Sequence, residues 1–448
     1  MMNHFHEVSR DTPVVERCDV LVAGAGPAGV CAAIAAARAG ASVCLIETHG
    51  CLGGVWTSGL LSWVLDAQNK SGILAELLRR LGRRDASAPL VQGGIAYDTE
   101  QMKLVLERMC VEAGVKVRLH TRVVGAARDE NNRLAVALTE SKSGREAWFA
   151  KVFIDCTGDG DLASLAGCGF EVGRPATGAG SFGPERAGET QPMTLLCLIT
   201  GVDHDATRDT HDRTGKAWSA PKDALLAELR RAGVEPSYDR PTIFVVRPGL
   251  YAWMINHEYG VSGLSANDIT RATLHARDEL HRNIDALRSL GGGWKDIRIV
   301  STADQIGVRE ARRVRGRYVV TLDDMVNGAR HDDAVCRVTF KIDVHSTNPS
   351  QGKGIDLTGR VPVQEYDIPL RALIAADCDA LLLAGRCISG DFLAHSSYRV
   401  TGNAAALGEA AGLTAALACK HACLPHDVPV EQVLAALNAP EDRNGVGS

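Results

Sequence analysis

Residues 18–29 read CDVLVAGAGPAG, an apolar run that leads into three glycines spaced Gly-x-Gly-x-x-Gly. An Ala-rich segment continues to Gly40, and a second apolar run, SVCLI at 42–46, ends in Glu47. This order predicts a strand, a helix and a second strand, the unit that pairs its strands in parallel through a right-handed crossover.

The three glycines have distinct roles in such a unit. Gly24 would make the tight turn, Gly26 would let the backbone approach a pyrophosphate, and Gly29 would let helix and strand pack closely. The helix N-terminus offers unpaired N–H groups to the phosphates, and Glu47 can accept hydrogen bonds from ribose hydroxyls. The stretch therefore predicts a dinucleotide site.

The composition is that of a globular protein. Of 448 residues, 45% are hydrophobic and 23% charged, and 49 Lys and Arg oppose 54 Asp and Glu for a net charge of -5. Since no block of like charges is present, we expect no nucleic-acid partner. Glycine is abundant, at 46 residues against 16 prolines, which favours a nucleotide-binding α/β protein.

No membrane span or secretory signal is expected. The longest apolar stretches, Val30–Ala39 and Ala404–Ala418, are interrupted by Arg38 and Glu409 and fall short of the ~20 residues that a bilayer span needs. The segment Met1–Arg17 has no apolar region typical of a signal peptide. We therefore predict a cytoplasmic protein.

The 13 cysteines are odd in number and scattered, so a disulfide framework is not expected. One cluster, Cys419, His421, Cys423 and His426, offers four metal-ligand side chains. Its spacings match no common zinc module, so we interpret it as a plain helix end and predict no metal site.

The two ends of the chain share the nucleotide-binding pattern, whereas the middle is less glycine-rich and more charged. We predict a first part of one domain at 15–171, an inserted substrate domain at 172–365, the second part of the first domain at 366–425, and a tail at 426–448. Further strands are predicted at 115–119, 123–127, 134–139, 151–155, 195–200, 243–246, 335–342 and 380–384, and helices at 99–113, 220–232, 266–290 and 404–418.

Several other motifs join the first. Residues 48–59 read THGCLGGVWTSG, residues 152–159 VFIDCTGD and residues 380–386 ALLLAGR. Together with the glycine motif they resemble FAD-dependent oxidoreductases with a glutathione-reductase-like FAD-binding fold, in the branch distantly related to fumarate reductase and succinate dehydrogenase flavoproteins. The resemblance extends to IGVREARR at 306–313, YDIPLR at 366–371 and SYRVTGNAAALGEAAG at 397–412.

This resemblance implies an α/β fold, in which a Rossmann-like FAD-binding domain with a parallel sheet and ββα layers carries an inserted α+β substrate domain. It implies FAD bound non-covalently, because the Ser-His-Thr pattern of covalent attachment is absent. The implied cofactor-binding residues are Gly24, Gly26, Pro27, Ala28 and Gly29 at the pyrophosphate, Glu47 and Thr48 at the ribose, Gly53, Gly54, Val55 and Trp56 along the flavin, Val123 at the adenine, Gly158, Asp159 and Asp161 in a second loop, Gly385 and Arg386 in a third, and Gly402, Asn403 and Ala404 at a helix facing the flavin pyrimidine edge.

A single dinucleotide site is expected. The run from Gly158 to Ala163 imitates a second glycine motif, but Glu171 follows Gly160 too closely to close another strand–helix–strand unit. Electrons must therefore come from or go to the substrate or a separate acceptor, which the sequence does not identify. The Asp-Gly-x-x-Ser stretch of aromatic hydroxylases and the Trp-x-Trp-x-Ile-Pro box of halogenases are also absent.

Hydride transfer from a substrate carbon requires a base for the hydroxyl or amine proton, and histidine suits this near neutral pH. The first candidate is His395, whose loop also holds Tyr398 and Arg399, and the second is His345. Arg399 could contact a substrate carboxylate or the flavin. The arginines of 306–313 are interpreted as an ion-pair network with Glu310 on a helix face rather than as a substrate clamp.

The sequence thus predicts an FAD-dependent oxidoreductase, a dehydrogenase or oxidase. It would transfer a hydride between a small polar substrate, at an alcohol, sugar or polyol, or amine carbon, and flavin N5. The alternatives are an NAD-dependent dehydrogenase that uses the N-terminal glycine motif, and a flavin-binding scaffold without small-molecule turnover. A homo-oligomer is compatible with the sequence.

Overall fold

The computed structural model describes residues 5–84, 87–89, 94–178, 180–181, 183–212, 216–356 and 361–439. Its strands are β1 (Val14–Ala23), β2 (Val43–Ile46), β3 (Trp63–Val64), β4 (Ser87–Pro89), β5 (Ile95–Tyr97), β6 (Lys116–Arg118), β7 (Thr121–Arg128), β8 (Leu134–Ser141), β9 (Gly144–Asp155), β10 (Phe170–Glu171), β11 (Cys197–Thr200), β12 (Thr242–Arg247), β13 (Leu250–Met254), β14 (Arg298–Thr302), β15 (Arg313–Val314), β16 (Ala334–Val338), β17 (Tyr366–Pro369) and β18 (Leu381–Leu383).

The α-helices are α1 (Pro27–Arg38), α2 (Gly72–Gly82), α3 (Thr99–Glu112), α4 (Asp161–Leu165), α5 (Ala220–Arg231), α6 (Ala266–Ser289), α7 (Leu322–Asn327), α8 (Phe392–Tyr398), α9 (Thr401–His421) and α10 (Val430–Leu437). In the described part of the chain, none of them is both long and apolar enough to cross a membrane.

The main sheet is parallel through β6, β2, β1 and β9. The long strand β9 pairs with β1 and also with two further strands: its first half pairs antiparallel with β8, and its end, Phe153–Asp155, pairs parallel with β18. Strand β7 extends the sheet beyond β8. The predicted α/β class with a parallel, Rossmann-like sheet is confirmed, and the loops after β1, β2, β9 and β18 all leave the same edge, because parallel strands end together.

Helices α1 and α9 pack against each other through small residues. A Cβ atom at Gly408 would lie 2.0 Å from the backbone oxygen of Ala28, and one at Gly412 would lie 2.2 Å from that of Ala32. Only glycine leaves room for so close a backbone approach. The contact ties α9 to α1, so that two helices from distant parts of the sequence pack together beside the main sheet.

A second, antiparallel sheet has the order β12-β13-β11-β14. Together with α5 and α6 it encloses a separate hydrophobic core, to which Leu60 and Trp63 also contribute. The predicted span 172–365 supplies both cores, because Val314, Val320 and Val338 pack into the core of the main sheet. The division of the chain into domains stays a prediction.

Candidate active site

The glycine turn after β1 leaves open space where the sequence predicts a pyrophosphate. Gly24 has φ +90°, and a Cβ there would lie 2.6 Å from Cys156 O, while a Cβ at Gly29 would lie 1.8 Å from Gly24 O. A Cβ at Gly26 would meet no atom within 4 Å. Since α1 begins directly after Gly26 without a side-chain cap, its first N–H groups are suited to an anion.

Glu47 lies at the end of β2 and is 5% exposed. Its Oε2 accepts a hydrogen bond from Ala25 N at 2.7 Å, and its Oε1 accepts one from His49 N at 2.8 Å. These bonds fix the carboxylate against the glycine turn. Each oxygen keeps a further lone pair for a ribose hydroxyl.

The loop 53–56 lies directly on the glycine turn. Gly53 N donates to Ala25 O at 2.8 Å, and a Cβ at Gly54 would lie 2.9 Å from Gly26 Cα. Trp56 is fully buried, and its Nε1 has no hydrogen-bond partner among the described residues. The predicted pyrophosphate and flavin loops therefore adjoin.

The second and third loops are bound to each other by Arg386. Its Nε donates to Gly158 O at 2.9 Å, and its Nη2 contacts the carboxylate of Asp159. Gly385 approaches α1 so closely that a Cβ would lie 3.0 Å from that of Ala28. Asp161, at the start of α4, pairs with Arg312 Nη1 at 2.9 Å.

Sequence reasoning gave no role to Asp155, which anchors the second loop. Its buried carboxylate accepts hydrogen bonds from Thr157 N at 3.0 Å, Thr157 Oγ1 at 2.7 Å and Ala163 N at 2.8 Å. Burial raises the pKa of Asp155 to about 6 despite these bonds. The sequence feature that could have identified Asp155 is its position as an acidic residue at the end of an apolar strand.

The N-terminus of α9 carries two buried polar groups without a partner. Asn403 is completely buried, and neither its Nδ2 nor the Oγ1 of Thr401 has a hydrogen-bond partner among the described residues. Gly402 is held by a bond from its N to Leu65 O at 3.0 Å. Unpartnered donors at a helix N-terminus fit the flavin edge that the resemblance places there.

A polar cluster lies where the second sheet meets the C-terminal segments. His345 Nε2 is 3.4 Å from Asp343 Oδ2, and Arg399 Nη2 donates to Asp343 O at 2.8 Å. Arg399 Nη1 donates to the backbone oxygen of Arg309 at 3.1 Å. The structure thus brings together two predicted residues, His345 and Arg399, around a carboxylate that the prediction left without a role.

Aromatic rings and imidazoles complete this cluster. The His345 and His257 ring centroids are 4.9 Å apart, and those of Tyr238 and His257 are 4.1 Å apart. His257 Nδ1 lies 3.2 Å from the hydroxyl of Tyr259. Tyr238, His257 and Tyr259 were missed, because they belong to connections around the second sheet and share no spacing with the other motifs.

The protonation of the cluster follows from its burial and its arginines. Burial, and next the charge of Arg309, lower the pKa of His345 to about 4, and the pKa of His257 is lowered for the same two reasons. Burial by itself would raise the pKa of Asp343, but His345, Arg399 and Arg309 hold it well below its usual value. At neutral pH the cluster holds neutral imidazoles beside an ionised carboxylate.

His395 and Tyr398 lie on α8, with ring centroids 5.6 Å apart. His395 is completely buried and neither ring nitrogen has a partner among the described residues, while Tyr398 OH donates to Ile388 O at 2.9 Å. Burial, followed by the charge of Arg313, lowers the pKa of His395 far below its usual value. No carboxylate orients this imidazole in the described structure.

The prediction that the charged residues of 306–313 share one face of a helix is wrong. These residues are not helical, and Gly307 pairs with Thr194 through bonds of 2.8 and 3.1 Å in an extended bridge. An ion pair is present, between Arg313 Nη1 and Glu310 Oε1 at 2.5 Å and fully buried. Backbone pairing with the neighbouring segment thus prevails over the helical spacing of the charges.

Three of the four Cys and His side chains in the last turn of α9 and just after it bond to separate partners. Cys419 Sγ donates to Asp19 O at 3.4 Å, whereas His421 Nε2 lies 2.8 Å from Gln432 Oε1. His426 Nε2 lies 3.4 Å from Arg317 Nη2.

The chain was compared with curated proteins, with solved structures and with family profiles. No curated protein is significantly similar to the chain in sequence. Solved structures that match include a geranylgeranyl bacteriochlorophyll reductase-like protein from Thermoplasma acidophilum, with 16% identity, 94% of this chain and 82% of that chain covered, and a TM-score of 0.46. A p-nitrophenol 4-monooxygenase from Pseudomonas putida DLL-E4 matches with 12% identity, 95% and 81% coverage and a TM-score of 0.45.

The statistical profile of FAD dependent oxidoreductases matches residues 19–437. This range includes the glycine turn, both later loops and the whole of α9. FAD is accordingly the cofactor, and the alternative of an NAD-dependent dehydrogenase is not supported. The chain belongs to the FAD dependent oxidoreductase family.

Proposed function

We propose that the protein is a dehydrogenase or oxidase that removes a hydride from an alcohol, sugar or polyol, or amine carbon of a small polar substrate. The observation that carries this proposal is the pair of His345 and Asp343, 3.4 Å apart, in which His345 Nδ1 is buried and unpartnered among the described residues. A base with one nitrogen held by a carboxylate and the other free is the group that such an oxidation requires.

His345 suits this role through its protonation state. With a pKa of about 4 it is neutral at pH 7, so Nδ1 can take the proton of a substrate hydroxyl or amine as the carbon–oxygen or carbon–nitrogen double bond forms. Asp343 then lies beside the imidazolium and stabilises its charge. Arg399 positions Asp343 through the 2.8 Å bond to its backbone oxygen.

The proposal assigns the cofactor to the loops at the sheet edge. Gly26 and the start of α1 would hold the pyrophosphate, Glu47 the ribose, and Trp56 and Asn403 would adjoin the flavin. When bound, FAD supplies the acceptor for the hydride that leaves the substrate carbon. We also propose that one FAD is bound non-covalently, that a separate acceptor takes up the electrons, and that the protein has no nucleic-acid partner.

Residues 172–365 are proposed as the substrate-binding part, with Tyr238, His257 and Tyr259 beside the reacting group. Support comes from Tyr238 and His257, whose ring centroids lie 5.9 and 4.9 Å from that of His345. Tyr259 in turn contacts His257. His395 is the competing base. It lacks an orienting carboxylate, so the proposal ranks it after His345.

Anaerobic bleaching of the bound flavin tests the proposal. The purified holoprotein is mixed with sugars, polyols, hydroxy acids and amino acids while the absorbance of the flavin is followed. We expect bleaching by at least one compound, a fall of 100-fold or more in its rate in His345→Asn, and a smaller change in His395→Asn. Holoprotein that no compound bleaches would favour the scaffold, and a fast His345→Asn variant would exclude His345 as the base.

A further inference from the structure

Arg309 differs from the other arginines around the site in how its charge is balanced. Arg313 has Glu310 at 2.5 Å, Arg312 has Asp161 at 2.9 Å, Arg174 has Asp356 at 2.7 Å, and Arg399 has Asp343 at 3.8 Å. Within the described ranges, no carboxylate lies within 4.0 Å of the Arg309 guanidinium. Asp343 acts on Arg309 only from beyond this distance. A half-buried cation with no anion in direct contact is costly unless a ligand supplies one.

The guanidinium is also anchored on one side only. Arg309 Nη1 donates to Pro192 O at 2.7 Å and to Thr194 Oγ1 at 2.8 Å. For Nε and Nη2 there is no protein acceptor in the part of the chain that the structure describes. This edge carries two parallel N–H groups, the geometry that matches a carboxylate in a bidentate pair.

Two further unpartnered atoms lie in the same cluster. His257 Nε2 and His345 Nδ1 lack hydrogen-bond partners among the described residues, although the two residues are only 2% and 5% exposed. Arg399 bonds to the backbone oxygens of both Arg309 and Asp343, and the Met193 neighbour of Thr194 pairs with Glu258, which follows His257. Burial first, and then the positive charge of Arg309, lower the pKa of both imidazoles. Buried polar atoms of this kind are normally satisfied, so a polar ligand is indicated.

We infer that the substrate is a carboxylate, a hydroxy acid or an amino acid, whose carboxylate pairs with Nε and Nη2 of Arg309 while its hydroxyl or amine faces His345. The inference rests on the proposed function and narrows its substrate class. The two N–H groups of Arg309 thus select for a negative charge, and the neutral imidazole of His345 accepts the proton that the hydroxyl or amine loses. Neutral sugars and polyols would lack the anchor.

Binding of 2-oxo acids, the products of such an oxidation, tests this without turnover. Pyruvate, 2-oxoglutarate and phenylpyruvate are titrated against the corresponding neutral amides, and the visible spectrum of the bound flavin reports binding. In the unaltered protein we expect at least one oxo acid to bind 10-fold or more tightly than its amide. Arg309→Met should abolish that preference, Arg309→Lys should retain part of it, and the surface variant Arg271→Met should keep it.

Thr194→Val removes the hydrogen bond that holds the Arg309 guanidinium but leaves its charge in place. This variant replaces Arg309→Met as the test if Arg309→Met does not fold. We expect it to reduce the preference for the acid by several-fold with unchanged FAD content. Equal binding of acids and amides, or a preference that survives in Arg309→Met, would overturn the inference. So would a loss of FAD from Arg309→Met, because Arg309 would then serve the cofactor.

The outcomes separate this inference from the proposed function. Neutral polyols that bleach the flavin at equal rates with and without Arg309 would leave the proposed oxidation intact and reject the carboxylate. Oxo acids that bind through Arg309, in a protein whose flavin no compound bleaches, would support the carboxylate site and reject the oxidation.

Discussion

His345 Nε2 lies 3.4 Å from Asp343 Oδ2, which leaves Nδ1 as the free nitrogen of a buried imidazole. Burial, and next Arg309, lower the pKa of His345 to about 4, although the charge of Asp343 acts to raise it. A histidine that acts as a base is active only when neutral. We therefore expect the rate of flavin reduction to fall as the pH drops through about 4, with a plateau above pH 5.

Asp343→Asn should move this acid limb to lower pH, because it removes the charge that raises the pKa of His345. It should also lower the plateau rate by 10-fold or more, since the imidazolium loses its stabilising carboxylate. Stopped-flow flavin reduction between pH 3.5 and 8 measures both effects. Asp278→Asn, on the exposed face of α6, is the control, and a limb that moves upward in Asp343→Asn would contradict the assignment.

Gly26→Ala and Gly29→Ala should separate cofactor binding from folding. Gly26 has φ -68° and open space at its Cβ position, so alanine fits the fold but intrudes where the pyrophosphate is expected. Gly29→Ala places a Cβ 1.8 Å from Gly24 O and should destabilise the protein itself. We expect Gly26→Ala to weaken FAD binding 10-fold or more at nearly unchanged melting temperature of the apoprotein.

Fluorescence titration of FAD and thermal unfolding of the apoproteins measure the two effects. Gly82→Ala, in helix α2 with its nearest atom 3.8 Å from the added Cβ, is the control for a harmless glycine replacement. If Gly26→Ala binds FAD normally, the pyrophosphate lies elsewhere.

The sequence predicts those strands and helices that are determined by residues close together in the chain. Strand β12, Thr242–Arg247, was predicted at 243–246, and helix α3, Thr99–Glu112, at 99–113, because apolar spacing alone defines them. The strand predicted at 335–342 ends at Val338. The backbone N–H of the next residue, Thr339, donates a hydrogen bond to Asp66 Oδ2 at 3.1 Å. That partner is distant in sequence, so no local pattern reveals it.

The candidate site likewise has residues that the sequence predicts and residues that it does not. Gly26 and Glu47 were assigned from one continuous stretch, in which each residue type has a known task. The cluster of Tyr238, His257 and Arg309 was not, because three separate segments meet there only after the second sheet has formed. Arg309 was interpreted as part of a helical ion-pair network. The segment is not helical, and Glu310 pairs with Arg313, while no carboxylate of the described residues lies within 4.0 Å of the Arg309 guanidinium.

Gly408→Ala should destabilise the protein through the contact between α9 and α1. The added Cβ would lie 2.0 Å from the backbone oxygen of Ala28, and a backbone atom cannot rotate away as a side chain can. We expect a loss of about 1–3 kcal/mol in the free energy of unfolding, measured by urea denaturation. Gly82→Ala, which has space for the methyl group, should show no loss, and equal stability of the two variants would mean that the helices separate at no cost.

His211 should contribute to acid sensitivity of the fold. It is 5% exposed, and its Nε2 lies 3.0 Å from His204 Nδ1. Burial first, and then the charge of His204, lower the pKa of His211 to about 4, so the folded state resists a proton that the unfolded chain binds near pH 6.5. The stability that this neutral imidazole provides is complete above pH 6.5 and is lost as the pH falls towards 4.

His211→Gln cannot take up this proton, so its free energy of unfolding should fall less than that of the unaltered protein between pH 7 and about 4.5. The dependence should not vanish, because His345 has its pKa lowered to about 4 as well and adds the same sign of effect. Urea denaturation of the apoproteins at three pH values measures the difference, with exposed His281→Gln as the control. Parallel curves for His211→Gln and the unaltered protein would show that His211 is protonated in the folded state as readily as in the unfolded chain.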